Sequence, residues 1–444
     1  VPGADDAARQ AIAAVWRIEA AKVVAHAARV VRDLGVAEEL AQDVLVSALE
    51  HWPVDGIPNS PGAWLMAAVR RRALDHLRRQ QVRSAAADLI AGELQAQQAL
   101  YAPDAAAGLD ERRAQARGDA VDDEVLGLVF TACHPLLPAS ARSALTLKLV
   151  AGLSTAAVAR AYLVSEGAMA QRLVRAQRTL AEAGVPFEEP GGEELPARLA
   201  AVLEVVYLIF NEGYAASEGD DWMRPALVDE ALRLARRLAA LVLRRARAGR
   251  PLAPADQAEV HGLAALLELQ AARMPARTDA QGRPVLLADQ DRRRWDRLLL
   301  RRGLAALAQA EALAPARGPY TLQAAIAACH ARAPSAAATD WRRIAGLYGD
   351  LAARQPSPVV ELNRAVAVGM AEGPAAGLAV LEPLRAEPAL ARYHWLPAVR
   401  AEFLLRLGRV HEARAELLRA AALAGNGRER ALLQERAQEL AGGA

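Results

Sequence analysis

Gln171, Arg175 and Arg178 recur at i, i+4 and i+7 within STAAVARAYLVSEGAMAQRLVRAQRTL, residues 154–180, so they share one face of any helix formed there. A carboxamide matches the edge of adenine, and a guanidinium matches the edge of guanine or a phosphate, so the chemistry on offer is hydrogen bonding to nucleic acid. Met169, Leu173, Ala176 and Leu180 recur on another face as an apolar stripe. Ser154 and Ser165 each stand where a helix N-cap is expected, with only Leu163 and Val164 between the two apolar patterns. The spacing predicts a helix-turn-helix whose second helix starts at Ser165 and presents Gln171, Arg172, Arg175 and Arg178. An ordinary helical hairpin with a solvated arginine face has the same local pattern.

Two more helices must position a second charged surface. Between Asp33 and Glu50 lie five acids and no Lys or Arg, whereas Ala63 to Ser84 holds six arginines and one acid. Leu40, Val44 and Ala48 repeat every four residues in the acidic helix and leave Glu39, Gln42 and Asp43 outside. Met66, Val69, Ala73 and Leu77 form the expected buried stripe of the basic helix, freeing Arg70, Arg71, Arg78 and Arg79 for a phosphate backbone. The alternative is two solvated faces neutralising one another. His51 to Gly62, rich in Pro and Gly, is expected to be a loop, with Trp52 offering a surface on which an unpaired base can stack and Trp64 in the core.

The whole chain bounds these readings. Its 444 residues hold roughly two to four domains. Ala, Leu and Val dominate and aromatics are 4%, which favours an all-α fold. Lys22 and Lys148 are the only lysines, a bias that says little about function. A net charge of +2 excludes a general polyanion binder and leaves nucleic-acid affinity to local clusters. Two distant cysteines make a disulfide framework unexpected, and no apolar run is long enough to span a bilayer, so the expectation is a cytoplasmic protein.

Taken in order, GVAEELAQDVLVSALEHW, a loop, WLMAAVRRRALDHLRR, a linker and LSTAAVARAYLVSEGAMAQRLVRAQRTL resemble an extracytoplasmic-function sigma factor. The resemblance implies region 2 at 12–80, a linker at 81–120, a region 4 helix-turn-helix at 121–187 and a linker at 188–196. It further implies that Glu39, Gln42 and Asp43 dock on the clamp helices of the largest subunit of core RNA polymerase. Trp52, Arg70, Arg71, Arg78 and Arg79 are then assigned to the promoter −10 element. Ser165, Gln171, Arg172, Arg175 and Arg178 are assigned to the −35 element, and holoenzyme would be nucleoid-associated. Arg71 departs from the family pattern, in which many members carry Asn.

Residues 197–444 exceed what such a factor needs and read as further helices. Gly369 and Gly408 are each expected between two helices, in units resembling tetratricopeptide repeats, which stack as an α-solenoid. Together with the YLIFNEGYAAS stretch, this resembles the subgroup carrying a fused regulatory extension, for which a protein or ligand partner is expected. The competing reading is a one-component helix-turn-helix regulator with a repeat sensor. Cys133-His134 and Cys329-His330 lack a second ligand pair at zinc spacing, and Glu212, Asp289, Asp291 and Asp296 have no accompanying nucleophile or phosphate loop. No enzyme, metal or cofactor is therefore expected, and the Gly of NEGY is expected to end a helix.

Overall fold

A computed structural model of the chain describes residues 4–91, 124–125, 127–162, 164–187, 190, 194–215 and 223–442. Among these residues the fold is all-α, with one isolated bridge between Thr278 and Pro284 and no strand. The chain divides into two compact units, Val1–Val205 and Val206–Ala444.

The first unit opens with α1 (Ala4–Val31), α2 (Leu34–Asp55) and α3 (Pro61–Ala91), which pack on one another. Ile12, Trp16, Ala20, Val23 and Ala27 of α1 recur at three- and four-residue spacing and are buried. Asp33 caps α2 by accepting from the Val36 N–H at 2.9 Å. The expected loop at His51 to Gly62 is shorter than its composition predicts, because α2 continues through Pro53 and ends only where Gly56 takes φ +87°. Trp52 is the reason: it extends the buried series Leu40, Val44, Ala48 by one more step of four. Residues 81–91, expected in a linker, instead continue α3, and 92–120 lie outside the described residues.

Next come α4 (described at 124–125 and 127–132), α5 (Ala139–Leu149), α6 (Thr155–Ala161) and α7 (Glu166–Glu182). α8 (Glu194–Tyr214) follows, so the expected linker at 188–196 ends inside a helix, and the boundary between units falls within α8 rather than before it. The early part of α8 is anchored to the first unit: buried Arg198 donates to the Phe130 carbonyl at 2.9 Å, and Glu204 pairs with Arg142 at 3.0 Å.

The second unit contains α9 (Pro225–Arg247), α10 (Pro254–Ala271), α11 (Arg297–Leu313), α12 (Pro319–Arg332), α13 (Trp341–Arg354), α14 (Pro358–Glu372), α15 (Pro374–Leu381), α16 (Trp395–Arg406), α17 (Val410–Leu423) and α18 (Gly427–Gly442). From α13 onward each packs mainly on its neighbours in sequence, as expected of helices stacked in a row, whereas α12 packs more on α10 than on α11 or α13. Gly213 does not end α8. It lies buried inside it, where an added Cβ would meet the Val228 nitrogen at 2.7 Å, so this glycine admits the start of α9.

Gly369 likewise lies inside α14 rather than between helices, and an added Cβ would stand 2.3 Å from Phe403 Cζ. The turn glycines are Gly373 (φ +108°) and Gly408 (φ +73°). Gly369→Ala should therefore overpack this core and lower unfolding free energy by about 1–3 kcal/mol in a urea titration.

Cys133 and Cys329 are both buried, and burial pushes the Cys133 thiol up to about 12. Asp291 and Asp296 cap helices, accepting from Arg293 and from Leu298 and Leu299, while Glu212 pairs with Arg224. Among the described residues no group of His, Cys, Asp and Glu could hold a metal ion, and no helix is long and apolar enough to cross a membrane.

His330 is half-buried beside Arg273 and Arg292, and loss of solvent first, then these cations, lower its pKa from the ordinary 6.5 to about 4. Protons bind the unfolded chain before the folded one as pH falls from 6.5 to 4, so stability must drop across that window. His330→Phe should flatten this part of the stability profile, measured by urea melts from pH 7 to about pH 4.

Candidate nucleic-acid interface

The residues that build the first candidate face come from α7. Ser165 caps it, accepting from the Ala168 N–H at 3.2 Å, and Ser154 caps α6 by accepting from the Ala157 N–H at 3.1 Å. Met169, Leu173, Ala176 and Leu180 are all buried, which fixes the rotation of α7 about its axis. Gln171, Arg175 and Arg178 are consequently exposed in one stripe. Arg175 donates to the Gln171 backbone carbonyl at 3.3 Å and to its side-chain Oε1 at 3.5 Å, and the second contact aligns the two side chains. Arg172 is one residue further round, about 100° off the stripe and half-buried, so it flanks the face instead of lying on it. The Ser165 oxygen is occupied by the cap, while its hydroxyl hydrogen remains free to donate.

Two members of this face were not singled out by pattern. Val174 is 61% exposed beside Arg175 and Arg178, an apolar group of the kind that contacts a thymine methyl. Its exposure follows from its position on the side of α7 away from Leu173, which the period alone could have revealed. Glu182 holds Arg178 at 2.6 Å and keeps the guanidinium's pKa above its usual value through that hydrogen bond.

The second face is on α3. Leu65, Ala68, Val69 and Ala73 are buried, whereas Met66 and Leu77, expected in the stripe, are half-buried. Arg70, Arg71, Arg78 and Arg79 are all exposed and spread over roughly 180° of the helix. Arg78 pairs loosely with Asp75 at 3.3 Å, and Arg72 is drawn back to Ser47 of α2 at 2.6 Å. The expected stacking role of Trp52 is corrected by its position. The side chain is only 2% exposed and meets Trp64 edge to face at 5.4 Å, so no base can reach its ring in this conformation. Trp64, expected in the core, is the half-buried member of the pair.

A third face lies on α2. Glu39, Gln42 and Asp43 are exposed, and between and beyond them Val46 (50%) and Leu49 (41%) are exposed as well. Acids ringing apolar side chains suit a protein surface of opposite charge better than a nucleic acid.

Glu38, one residue before this face, points the other way. Its two carboxylate oxygens take Lys148 of α5 at 2.9 Å and Gln177 of α7 at 2.8 Å. On α1, His26 and Arg29 reach Glu124 of α4 at 3.2 and 2.7 Å. These four contacts tie α1–α3 to α4–α7 within the first unit, and sequence patterns gave no sign of them.

Residues 4–83, covering α1, α2 and most of α3, match the Sigma-70 region 2 family. Residues 198–311 match a family of unknown function, DUF6596. An uncharacterized protein of Rhizobium meliloti (strain 1021) is 43% identical over 419 residues, covering 93% of this chain and 92% of the relative. No solved structure matches the chain.

Proposed function

We propose that this chain, whose residues 4–83 match Sigma-70 region 2, is a sigma-70 family factor that joins core RNA polymerase and directs it to promoters with −10 and −35 elements. The carrying observation is that the segment matched as Sigma-70 region 2 bears an exposed acid and apolar face on α2 and an exposed arginine face on α3. Such a body can hold polymerase and DNA at the same time. Glu39, Gln42 and Asp43 then bind the polymerase clamp, with Val46 and Leu49 supplying the apolar contact. Arg70, Arg71, Arg78 and Arg79 hold the strands at −10 through their phosphates. Gln171, Arg175 and Arg178 read −35 in the major groove, while Ser165 and Arg172 flank the backbone. The organisation fits the extracytoplasmic-function class, and the helices from α9 onward serve as a fused regulatory extension of tetratricopeptide-like type.

The test is run-off transcription with the full-length chain, core polymerase and a library of upstream sequences from the source genome. Promoter-dependent transcripts are expected, and duplex binding should be weak until core polymerase is added. Tight duplex binding by the chain alone, with no transcript and no polymerase complex, would instead identify a regulator that acts without polymerase.

The Arg178–Glu182 pair gives a further expectation. An exposed pair of this kind is weakly held and easily exchanged for water. Glu182→Gln frees Arg178 and removes a negative charge from the DNA-facing stripe, so holoenzyme affinity for a −35 duplex should rise about three-fold in fluorescence anisotropy. A fall in affinity would mean that this stripe does not face DNA.

A further inference from the structure

The YLIFNEGYAAS stretch has no part in polymerase or promoter binding as proposed, yet its aromatic and amide residues meet in one place. Tyr207, Phe210, Asn211 and Tyr214 form one wall of a cavity of about 320 Å³ in the second unit, closed by α10, α12, α13 and the start of α14. Phe210, Leu266, Ile326 and Leu351 make a buried apolar floor, and Asn211, Gln355, Val359 and Asn363 stand exposed at its mouth. None of the lining side chains carries a charge.

The polar groups of the cavity fall into two sets. Tyr207 is committed, donating to Gln323 at 2.9 Å, and Gln270 accepts from Arg273 at 3.0 Å. The buried Tyr214 hydroxyl has no hydrogen-bond partner, and the Tyr348 hydroxyl and the Gln355 and Asn363 carboxamides make none with the described residues. Burial raises the Tyr348 pKa, so this phenol remains a neutral donor.

Each class of ligand meets these groups differently. An ion would lose its water with no opposite charge to replace it. A purely apolar molecule would leave the Tyr214 and Tyr348 phenols without partners, while the exposed carboxamides at the mouth kept only water. A hydroxyl both donates and accepts, as phenols and carboxamides do, so a ring carrying several hydroxyls satisfies the set, with its C–H face on the apolar floor. The volume equals that of about ten waters, which fits a ring compound of about a dozen heavy atoms.

We propose that this cavity is a binding site for an uncharged polyhydroxyl ligand of monosaccharide size. The site lies wholly in the second unit, so it stands or falls separately from the polymerase reading.

The test uses the full-length chain in titration calorimetry and thermal melts. The probes are D-glucose, D-galactose and N-acetyl-D-glucosamine, with glucose 6-phosphate and N-acetyl-trialanine amide for comparison. At least one neutral sugar should bind saturably with Kd of about 1 mM or tighter and raise Tm. Tyr348→Phe, which preserves the ring, and Asn363→Ala should each weaken that binding about ten-fold. Gln355→Ala, at the exposed mouth, serves as a further variant should either of these lose its fold. The proposal is overturned if no neutral sugar binds at ~10 mM. It is equally overturned if the phosphorylated sugar or the peptide binds in preference, or if folded variants bind as the parent does.

Discussion

Replacing Arg175 and Arg178 together by alanine is expected to reduce holoenzyme affinity for a −35 duplex about a hundred-fold, with polymerase binding intact. Both side chains are exposed on the stripe set by the buried Met169, Leu173, Ala176 and Leu180, so their loss leaves the core of α7 untouched. A guanidinium paired with a guanine edge discriminates by about 1–3 kcal/mol, and two such contacts give the expected size. The salt dependence separates base from phosphate contacts. Each lost phosphate contact lowers the slope of log K against log salt by about 0.9 and weakens all sequences alike, whereas a lost base contact relaxes preference at one position. Anisotropy titrations at several salt concentrations, on matched and scrambled duplexes, provide the measurement. Unchanged binding to the matched duplex by a variant with a parental melting curve would remove α7 from the promoter.

The second large effect is expected from Glu39→Arg combined with Asp43→Arg. Core polymerase affinity should fall at least about a hundred-fold, because like charges set opposite one another in an interface cost several kcal/mol. DNA contacts should survive, since neither residue lies on α3 or α7. Both are exposed, and the helix is held by Leu40, Val44, Ala48 and Trp52, so the double variant should fold. The measurement is competition for core polymerase against the parent chain. Parental competition would reassign the face on α2 to another partner. Val46→Glu, in the middle of the same face, should act in the same direction, which tests the apolar part separately.

The α7 face was legible in the sequence because everything that fixes it is local. A serine cap and an apolar period of helical spacing suffice to place Gln171, Arg175 and Arg178 on one side. The acidic face of α2 was legible for the same reason. Trp52 is misplaced by composition, since the Pro and Gly content of His51 to Gly62 predicts a loop, although Leu40, Val44, Ala48 and Trp52 form an unbroken series of fours. A proline lacks the N–H that continues a helix, yet here it sits in the last turn, where α2 ends three residues later at Gly56. Gly369 was misplaced because a glycine serves equally as a turn or as a close approach, and only Phe403, far along the chain, tells them apart. The assembly of the YLIFNEGYAAS aromatics into a cavity wall depends on α10, α12 and α13 arriving beside them, which no periodicity encodes.

Glu38 sets a requirement on the proposed promoter complex. Elements centred at −10 and −35 lie about 25 base pairs apart, or roughly 85 Å at ~3.4 Å per pair. Glu38 nevertheless holds α2 within hydrogen-bond reach of Gln177 on α7, the very helix proposed to read −35. One molecule cannot keep that bond and span the two elements, so promoter-bound and free chains must differ in conformation. Where the form held by Glu38 predominates in solution, apparent affinity for polymerase is the intrinsic affinity scaled down by the population of the spanning form. A contact on the side of α7 turned away from the Gln171, Arg175 and Arg178 stripe thus bears on how readily the chain enters holoenzyme, and loosening Glu38 should tighten that association while leaving that stripe in place.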